Sequence, residues 1–160
     1  MRLVKRLKIG VSVVGLLVGC TAQQNRSART AGDSRPGCGK PTECQRAAKM
    51  AFDAEMARNG KDCLGVTTTT DENDCQVEAL RATERNFAAF LDALEGLVGR
   101  SPVEASQQAW LNYRAKQCDA IFDFFTPGTI GPSARTRCKI NLTRSRMRDL
   151  DELFESTLHH

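Results

Sequence analysis

The sequence predicts an all-α fold, in which three long helices pack up and down, a shorter helix precedes them and disulfides staple the domain. Apolar residues recur at spacings of three, four and seven along three stretches, which is the period of a helix with one buried face. No five-residue stretch shows the alternation of apolar and polar residues that marks a strand. The composition, 41% hydrophobic and 26% charged, is that of a globular domain.

The first 19 residues have the pattern of a signal peptide. An uncharged apolar run covers residues 9–18 and is too short for a comfortable membrane span. It ends in Leu17-Val18-Gly19-Cys20, which resembles the lipobox of bacterial lipoproteins, so Cys20 is the predicted lipidation site; the alternative is a conventional signal peptide with an incidental cysteine. The basic start before the run consists of Arg2, Lys5, Arg6 and Lys8.

Export changes the charge of the chain. The formal charge is +4, but cleavage removes four of the 23 lysines and arginines and none of the 19 acids, so the mature chain is formally neutral. A nucleic-acid partner therefore loses its electrostatic support. Residues 20–40 contain almost no bulky apolar side chain, which predicts a flexible tether before a domain at 41–160.

Six cysteines remain once Cys20 carries lipid, and an exported chain meets an oxidising compartment in which disulfides persist. Six cysteines permit about 15 pairings, and the sequence alone does not choose among them. We predict that nearest neighbours pair: Cys38 with Cys44, Cys63 with Cys75, and Cys118 with Cys138.

A zinc site is the alternative use of these cysteines. There is no Cys-x-x-Cys motif and the two histidines are the last two residues, so we predict no metal.

Thr42 to Gln45 has the form of a capping box, so the first helix is predicted from there to Arg58, with a loop at 61–71 after it. The second helix is predicted from about Asp74 to Val98, before Gly99. Its core face is formed by Leu80, Phe87, Leu91, Leu94 and Val98.

The third helix has the clearest start, because Ser101 is placed as an N-cap and is followed by a proline and, two residues later, a glutamate. Two glycines and two prolines within 126–132 predict a turn, and the last helix then runs to the end of the chain. The buried stripe predicted for the third helix is Val103, Trp110, Tyr113, Ile121 and Phe124, widened by Phe122 and Phe125. The stripe predicted for the last helix is Ile140, Met147, Leu150, Phe154 and Leu158.

Catalytic chemistry has little support in the sequence. Both histidines lie at a chain end that usually frays, and no Gly-rich phosphate loop is present, so we predict neither an enzyme nor a cofactor. Paired carboxylates are the remaining catalytic option, and they are interpreted as a solvated face beside Arg144, Arg146 and Arg148. These carboxylates are Asp119 with Asp123, and Asp149, Asp151 and Glu152.

The segment from Gln107 to Leu153 carries a spaced motif that resembles the LprI-type family of bacterial lysozyme-inhibitor lipoproteins. In that family a Gln-Trp-aromatic-Arg-Cys helix is followed by a Gly-rich loop and a Cys-Leu-Thr-Arg-Leu helix. The stretch from Cys63 onward looks like the start of the family's domain, so the best match is 63–153. The motif residues here are Gln107, Trp110, Tyr113, Arg114 and Cys118, then Cys138, Leu142, Thr143, Arg146 and Leu150.

The resemblance implies a protein that binds lysozyme or another cell-wall hydrolase. We interpret the motif as mainly structural, with Trp110 and Tyr113 as core anchors and with Arg114 and Arg146 paired to acids across helices. The loop departs from the Gly-Gly-Ser common in the family, and we expect it to face the partner. The predicted inhibitory element is 126–137, with two arginines at its base to meet the acids of the enzyme. Its residues are Thr126, Gly128, Thr129, Ile130, Gly131, Arg135 and Arg137.

The first hypothesis is therefore a lipid-anchored binding protein that occludes the cleft of lysozyme or a related wall-degrading enzyme. An immunity lipoprotein that neutralises a rival's periplasmic effector, such as a wall hydrolase or lipase, is the alternative, and a structural lipoprotein of envelope assembly is the third. The anchor places the domain in the periplasm or at the cell surface. In a Gram-negative cell, Thr21 after the lipidated cysteine resembles the signal for transfer to the outer membrane.

Overall fold

The structure is a computed structural model and describes residues 38–159. The predicted signal peptide, the lipidation site Cys20 and the tether up to residue 37 lie outside the described residues. The described range contains five helices and no strand, so the all-α prediction is confirmed. The helices are α1 (Pro41–Met56), α2 (Thr69–Val98), α3 (Ser101–Phe124), α4 (Gly131–Leu153) and α5 (Glu155–Leu158).

The start of α2 lies five residues before the predicted one. Thr68 caps the helix, because its side-chain oxygen accepts a hydrogen bond from the backbone N–H of Asp71 at 3.1 Å. Four threonines at 67–70 lie in the segment predicted as a loop. They supply the cap and the start of the first turn. The end of α2 agrees with the prediction, since Gly99 follows it with a φ of 82°.

The side-chain caps predicted for α1 and α3 do not form. Lys40 and Arg100 occupy the N-cap positions, and neither makes a side-chain cap hydrogen bond. Each helix has a proline in its first turn, and the fixed φ of proline already matches the helical value. The helix therefore begins next to the proline. Thr42 and Ser101, the predicted caps, consequently lie inside the helices.

The core lies between α1, α2 and α4. The rings of Phe52 and Phe90 pack with their centroids 6.2 Å apart, joining α1 to α2. Helix α4 was predicted to run to the end of the chain, but it ends at Leu153. The chain turns at Phe154, and the short helix α5 places Leu158 in the core. The buried apolar cluster comprises Ala48, Ala51, Phe87, Phe90, Ala93, Leu94, Val103, Met147, Leu150 and Leu158.

Helix α3 lies at the outside of the domain and packs mainly against α4. Only Val103 and Cys118 of its 24 residues are buried. Trp110 is partly buried and meets Phe87 edge-on, at 5.4 Å between ring centroids. The wide buried stripe predicted for this helix is therefore wrong in part, because one neighbouring helix covers only a narrow strip of it.

The structure contains the three disulfides between nearest neighbours. Cys38–Cys44 closes the start of α1, and Cys63–Cys75 fixes the segment between α1 and α2 to the first turns of α2. Cys118–Cys138 joins α3 to α4. Because α3 contributes few residues to the core, this disulfide is a covalent cross-link that supplements its side-chain contacts with α2 and α4.

A cluster of charged side chains is buried between α1, α2 and α4. Glu55 accepts hydrogen bonds from Arg144 Nε at 2.7 Å, from Thr83 Oγ1 at 2.7 Å and from Asn86 Nδ2 at 2.9 Å. Arg144 also pairs with Asp62, at 2.6 Å between Nη2 and Oδ2. The interpretation of Arg144 as part of a solvated face is wrong, since two carboxylates compensate its charge in the interior.

No helix within residues 38–159 combines the length and the apolar character needed to cross a membrane.

Candidate functional site

The turn between α3 and α4 is shorter than the element predicted to bind a partner. Helix α3 ends at Phe124 and α4 begins at Gly131, so Arg135 and Arg137 lie in α4 and not in a loop. The turn is held by a backbone hydrogen bond from Gly128 N to Phe125 O at 2.7 Å. Thr126 Oγ1 also donates to the carbonyl of the last turn of α3. Of the other predicted residues, Thr126, Gly128, Thr129 and Ile130 lie in this turn, and Gly131 is the buried first residue of α4.

Large apolar side chains are exposed around this turn. Phe124 is 79% exposed and Ile130 is 57% exposed. Phe125 is also exposed and packs edge-on against Phe124, with centroids 5.1 Å apart. A group of exposed apolar side chains on one turn is typical of a surface that contacts another molecule. We call Phe124, Phe125 and Ile130 the apolar tip.

A groove of about 570 Å³ runs from the tip between α3 and α4. A volume in this range is common for sites that receive a ligand or an anchoring side chain. Most of the surface of the groove is apolar, and Gln117 and Asn141 add amide groups to it. Its lining is Tyr113, Gln117, Ile121, Phe125, Ile130, Ala134, Arg137, Cys138, Asn141 and Leu142.

Tyr113 has a different place from the one predicted. It is 53% exposed and lines the groove, so it is not a core anchor. Trp110, three residues earlier, takes the position against the core. The two aromatic residues of the motif therefore divide between the interior and the candidate binding surface.

The two arginines expected to meet the acids of an enzyme are paired within the chain. Arg135 Nη2 lies 2.5 Å from Asp119 Oδ1, and its guanidinium stacks over the Phe122 ring at 5.8 Å. Arg137 pairs with Glu72 of α2. Both arginines are compensated by acids of the same chain, and their side chains remain 42% and 58% exposed.

The other motif residues hold α3 in place. Arg114 donates to Thr143 Oγ1 of α4 at 2.9 Å and pairs with Glu84 of α2 at 3.2 Å, while its guanidinium lies over Trp110. The prediction of an acid partner is confirmed for Arg114. It is wrong for Arg146, whose partners are neutral.

Arg146 meets neutral groups across the α3–α4 contact. Its Nη2 donates to Ser106 Oγ at 3.0 Å, and its Nε donates to Gln107 Oε1 at 3.5 Å. Both arginines therefore connect helices, and Gln107 of the motif takes part as an acceptor. Their side chains orient the helix that presents the groove.

Two of the five carboxylates considered for catalysis, Asp119 and Asp151, make side-chain contacts within the chain. Asp119 is bound to Arg135, and Asp123 follows one turn later on an exposed part of α3. Asp151 Oδ1 lies 3.0 Å from His159 Nε2. Among residues 38–159 no group of three or more His, Cys, Asp or Glu side chains is placed to hold a metal ion.

Sequence reasoning missed the groove itself. Gln117, Ala134 and Asn141 line it, and none of them was singled out. The sequence signal for the groove is the width of the apolar stripe on α3, which is greater than one neighbouring helix covers. Such an excess predicts an uncovered apolar surface, but not where along the helix it lies.

The fold and this site define a class: an all-α domain with three disulfides, whose α3–α4 hairpin carries an exposed apolar tip and a groove. Residues 63–150, more than half of the chain, match the family model described as "Lysozyme inhibitor LprI". The chain belongs to this family, so the resemblance seen in the motif residues is confirmed. An uncharacterised protein of Rhizobium meliloti (strain 1021) is 27% identical over 156 residues, which cover 94% of this chain and 98% of that protein. No solved structure matches the chain.

Proposed function

We propose that this chain is a lipid-anchored extracytoplasmic protein that inhibits lysozyme, or a related wall-degrading enzyme, by occluding its cleft. Its membership of the lysozyme-inhibitor family is the observation that carries the proposal. The basic start, the apolar run and the lipobox before Cys20 support export and anchoring. The protein supplies binding and steric exclusion, with no chemistry of its own.

The apolar tip is the element that we assign to the cleft. A lysozyme cleft contains two working carboxyl groups, one of them in an apolar environment. Phe124 and Ile130 are exposed at the end of the α3–α4 hairpin, and we assign them to the apolar part of such a cleft. The groove behind them, with Tyr113 on its wall, receives a side chain from the rim of the cleft.

Three contacts cross-link the hairpin. The Cys118–Cys138 disulfide, the Arg135–Asp119 pair and the Gly128–Phe125 hydrogen bond fix the helices and the turn relative to one another. A binding element that is already ordered avoids much of the entropy cost that a free loop incurs on association. This supports occlusion by a preformed surface over induced folding of a long loop.

The test is inhibition of cell-wall lysis by c-type, g-type and phage-type lysozymes, followed by turbidity. The variant F124S/I130S removes the two most exposed side chains of the apolar tip. The matched control, M50S/L153S, removes two similarly exposed apolar side chains on α1 and at the far end of α4. We expect the first variant to lose at least about tenfold in inhibition, and the control to lose less than about twofold.

Equal inhibition by the two folded variants contradicts the assignment of the tip. Failure of the unaltered protein to inhibit any of the three lysozymes contradicts the proposed function itself. In that case the immunity hypothesis, with another wall hydrolase or a lipase as the target, takes its place.

A further inference from the structure

A second depression, of about 500 Å³, lies between the end of α1, the segment that follows it, and α2. It is remote in sequence from the α3–α4 turn. Three cationic side chains line it, and we call it the cationic depression: Arg58, Lys61 and Arg85. Two carboxylates, Asp62 and Glu78, line it as well.

Both carboxylates are committed to other cations. Asp62 is only 11% exposed and lies between Arg144, at 2.6 Å, and Arg58, at 3.2 Å. Glu78 pairs with Arg81, three residues later on the same helix. Two arginines outside the lining, Arg144 and Arg81, therefore help to compensate the acids of the depression.

Two of the cations have no such compensation. In the part of the chain that the structure describes, no carboxylate lies within 4.0 Å of Lys61 or of Arg85. Like charges that line one concave surface raise the local positive potential, which attracts anions. The lining carries three cations and two carboxylates, and the pairing of those carboxylates leaves Lys61 and Arg85 uncompensated.

The depression is also held in shape. Arg58 Nη2 donates to the carbonyl oxygen of Ala79 at 3.5 Å and to Asp62. The Cys63–Cys75 disulfide fixes the segment that carries Lys61 to α2, and Cys63 is held in the left-handed region with a φ of 59°. A cationic site that is already ordered loses little conformational freedom when an anion binds.

We infer that the cationic depression binds a phosphate group, either of a free phosphate or of an anionic lipid headgroup. Lys61 acts as a compact point charge and Arg85 as a planar fork, the two ways in which side chains bind phosphate. A phosphate presents enough acceptor oxygens to engage both cations together with the free N–H groups of Arg58. This inference is independent of lysozyme inhibition.

The experiment is a calorimetric titration of the purified full chain at low ionic strength. One arm uses inorganic phosphate, and the other uses dihexanoylphosphatidylglycerol below its micelle concentration. The variant K61Q/R85Q removes the two uncompensated charges. The matched control R46Q/K116Q removes one exposed arginine and one exposed lysine from α1 and α3, and so changes the net charge equally.

Saturable binding that K61Q/R85Q weakens at least about tenfold, and R46Q/K116Q less than about twofold, supports the inference. The arm in which it occurs identifies the source of the phosphate, and R85Q alone, in the middle of α2, provides a second variant if the double one unfolds. No saturable binding in either arm overturns the inference. An equal loss in both double variants also overturns it, because net charge would then account for the binding.

Discussion

Arg144 Nε lies 2.7 Å from Glu55 Oε1, and this ion pair connects α4 to α1 with both side chains buried. Removing two charges from water costs several kcal/mol per ion, which the attraction between them roughly offsets. The pair therefore adds little net stability over an apolar pair of the same size. Its effect is on specificity: only one alignment of α1 and α4 gives each buried charge its partner.

Replacing one member of this pair leaves the charge of the other buried and uncompensated. We expect R144M to lower the free energy of unfolding by about 3–5 kcal/mol, because Glu55 is then a buried carboxylate without a cation. Urea denaturation measures the change. The control is R148M, one turn further along α4, where the arginine is exposed.

The same interaction gives a second measurement in the double variant E55L/R144M. Removing both charges relieves the desolvation penalty, so the double variant is expected to recover at least about half of the loss. A loss below about 1 kcal/mol in R144M, or a double variant as unstable as the single one, contradicts this account.

The periodic part of the fold was predictable and the buried charges were not. Phe87 and Leu94 follow the helical repeat and are core residues, as their spacing predicts. Arg144 lies among other arginines in the sequence, and a buried arginine there has the same local pattern as a solvated one. Its burial depends on Glu55 and Asp62, which lie more than 80 residues earlier in the chain, so the sequence pattern around it contains no sign of the pairing.

The exposure of the turn was predictable from the sequence, and the pairing of its arginines was not. The turn between the motif helices was expected to face the partner, and its Ile130 is indeed exposed. The arginines at its base were expected to be free, but Asp119 and Glu72 pair with them. Glu72 lies on α2, so this pairing follows from the packing of α2 against α4 and not from local sequence.

Removing the α3–α4 disulfide tests how far α3 depends on it. Cys118 and Cys138 are 20 residues apart, and in the chain-entropy model a ring of that size contributes about 3 kcal/mol. We expect C118A/C138A to lose about that amount in denaturation. Because few α3 residues are buried, amide hydrogen exchange should rise more in α3 than in α2. An equal rise in the exchange of the two helices contradicts the view that α3 depends on this bond more than α2 does.

Gly96 is placed where a methyl group does not fit. A Cβ there would lie 2.9 Å from Cys44 Sγ and 3.2 Å from Cys38 Sγ. Glycine to alanine inside a helix ordinarily stabilises by about 1 kcal/mol, but overpacking costs about 1–3 kcal/mol. We therefore expect G96A to be destabilising by about 1 kcal/mol in thermal unfolding.

A background without the Cys38–Cys44 disulfide separates the helix propensity of residue 96 from the overpacking. In C38A/C44A the sulfur atoms are absent, so G96A should there stabilise the protein by up to about 1 kcal/mol. If G96A stabilises both proteins equally, the close approach of Gly96 to the disulfide has no energetic consequence.

The response of inhibition to salt distinguishes an apolar tip from a cationic one. Arg135 and Arg137 are paired within the chain, while Phe124 and Ile130 are exposed. Salt screens exposed charges but leaves the burial of apolar surface nearly unchanged. Between about 50 and about 300 mM salt we therefore expect the inhibition constant to change less than about threefold, measured against uninhibited lysozyme at each concentration. A loss of tenfold or more would assign the binding to charges and would remove the apolar tip from the centre of the interface.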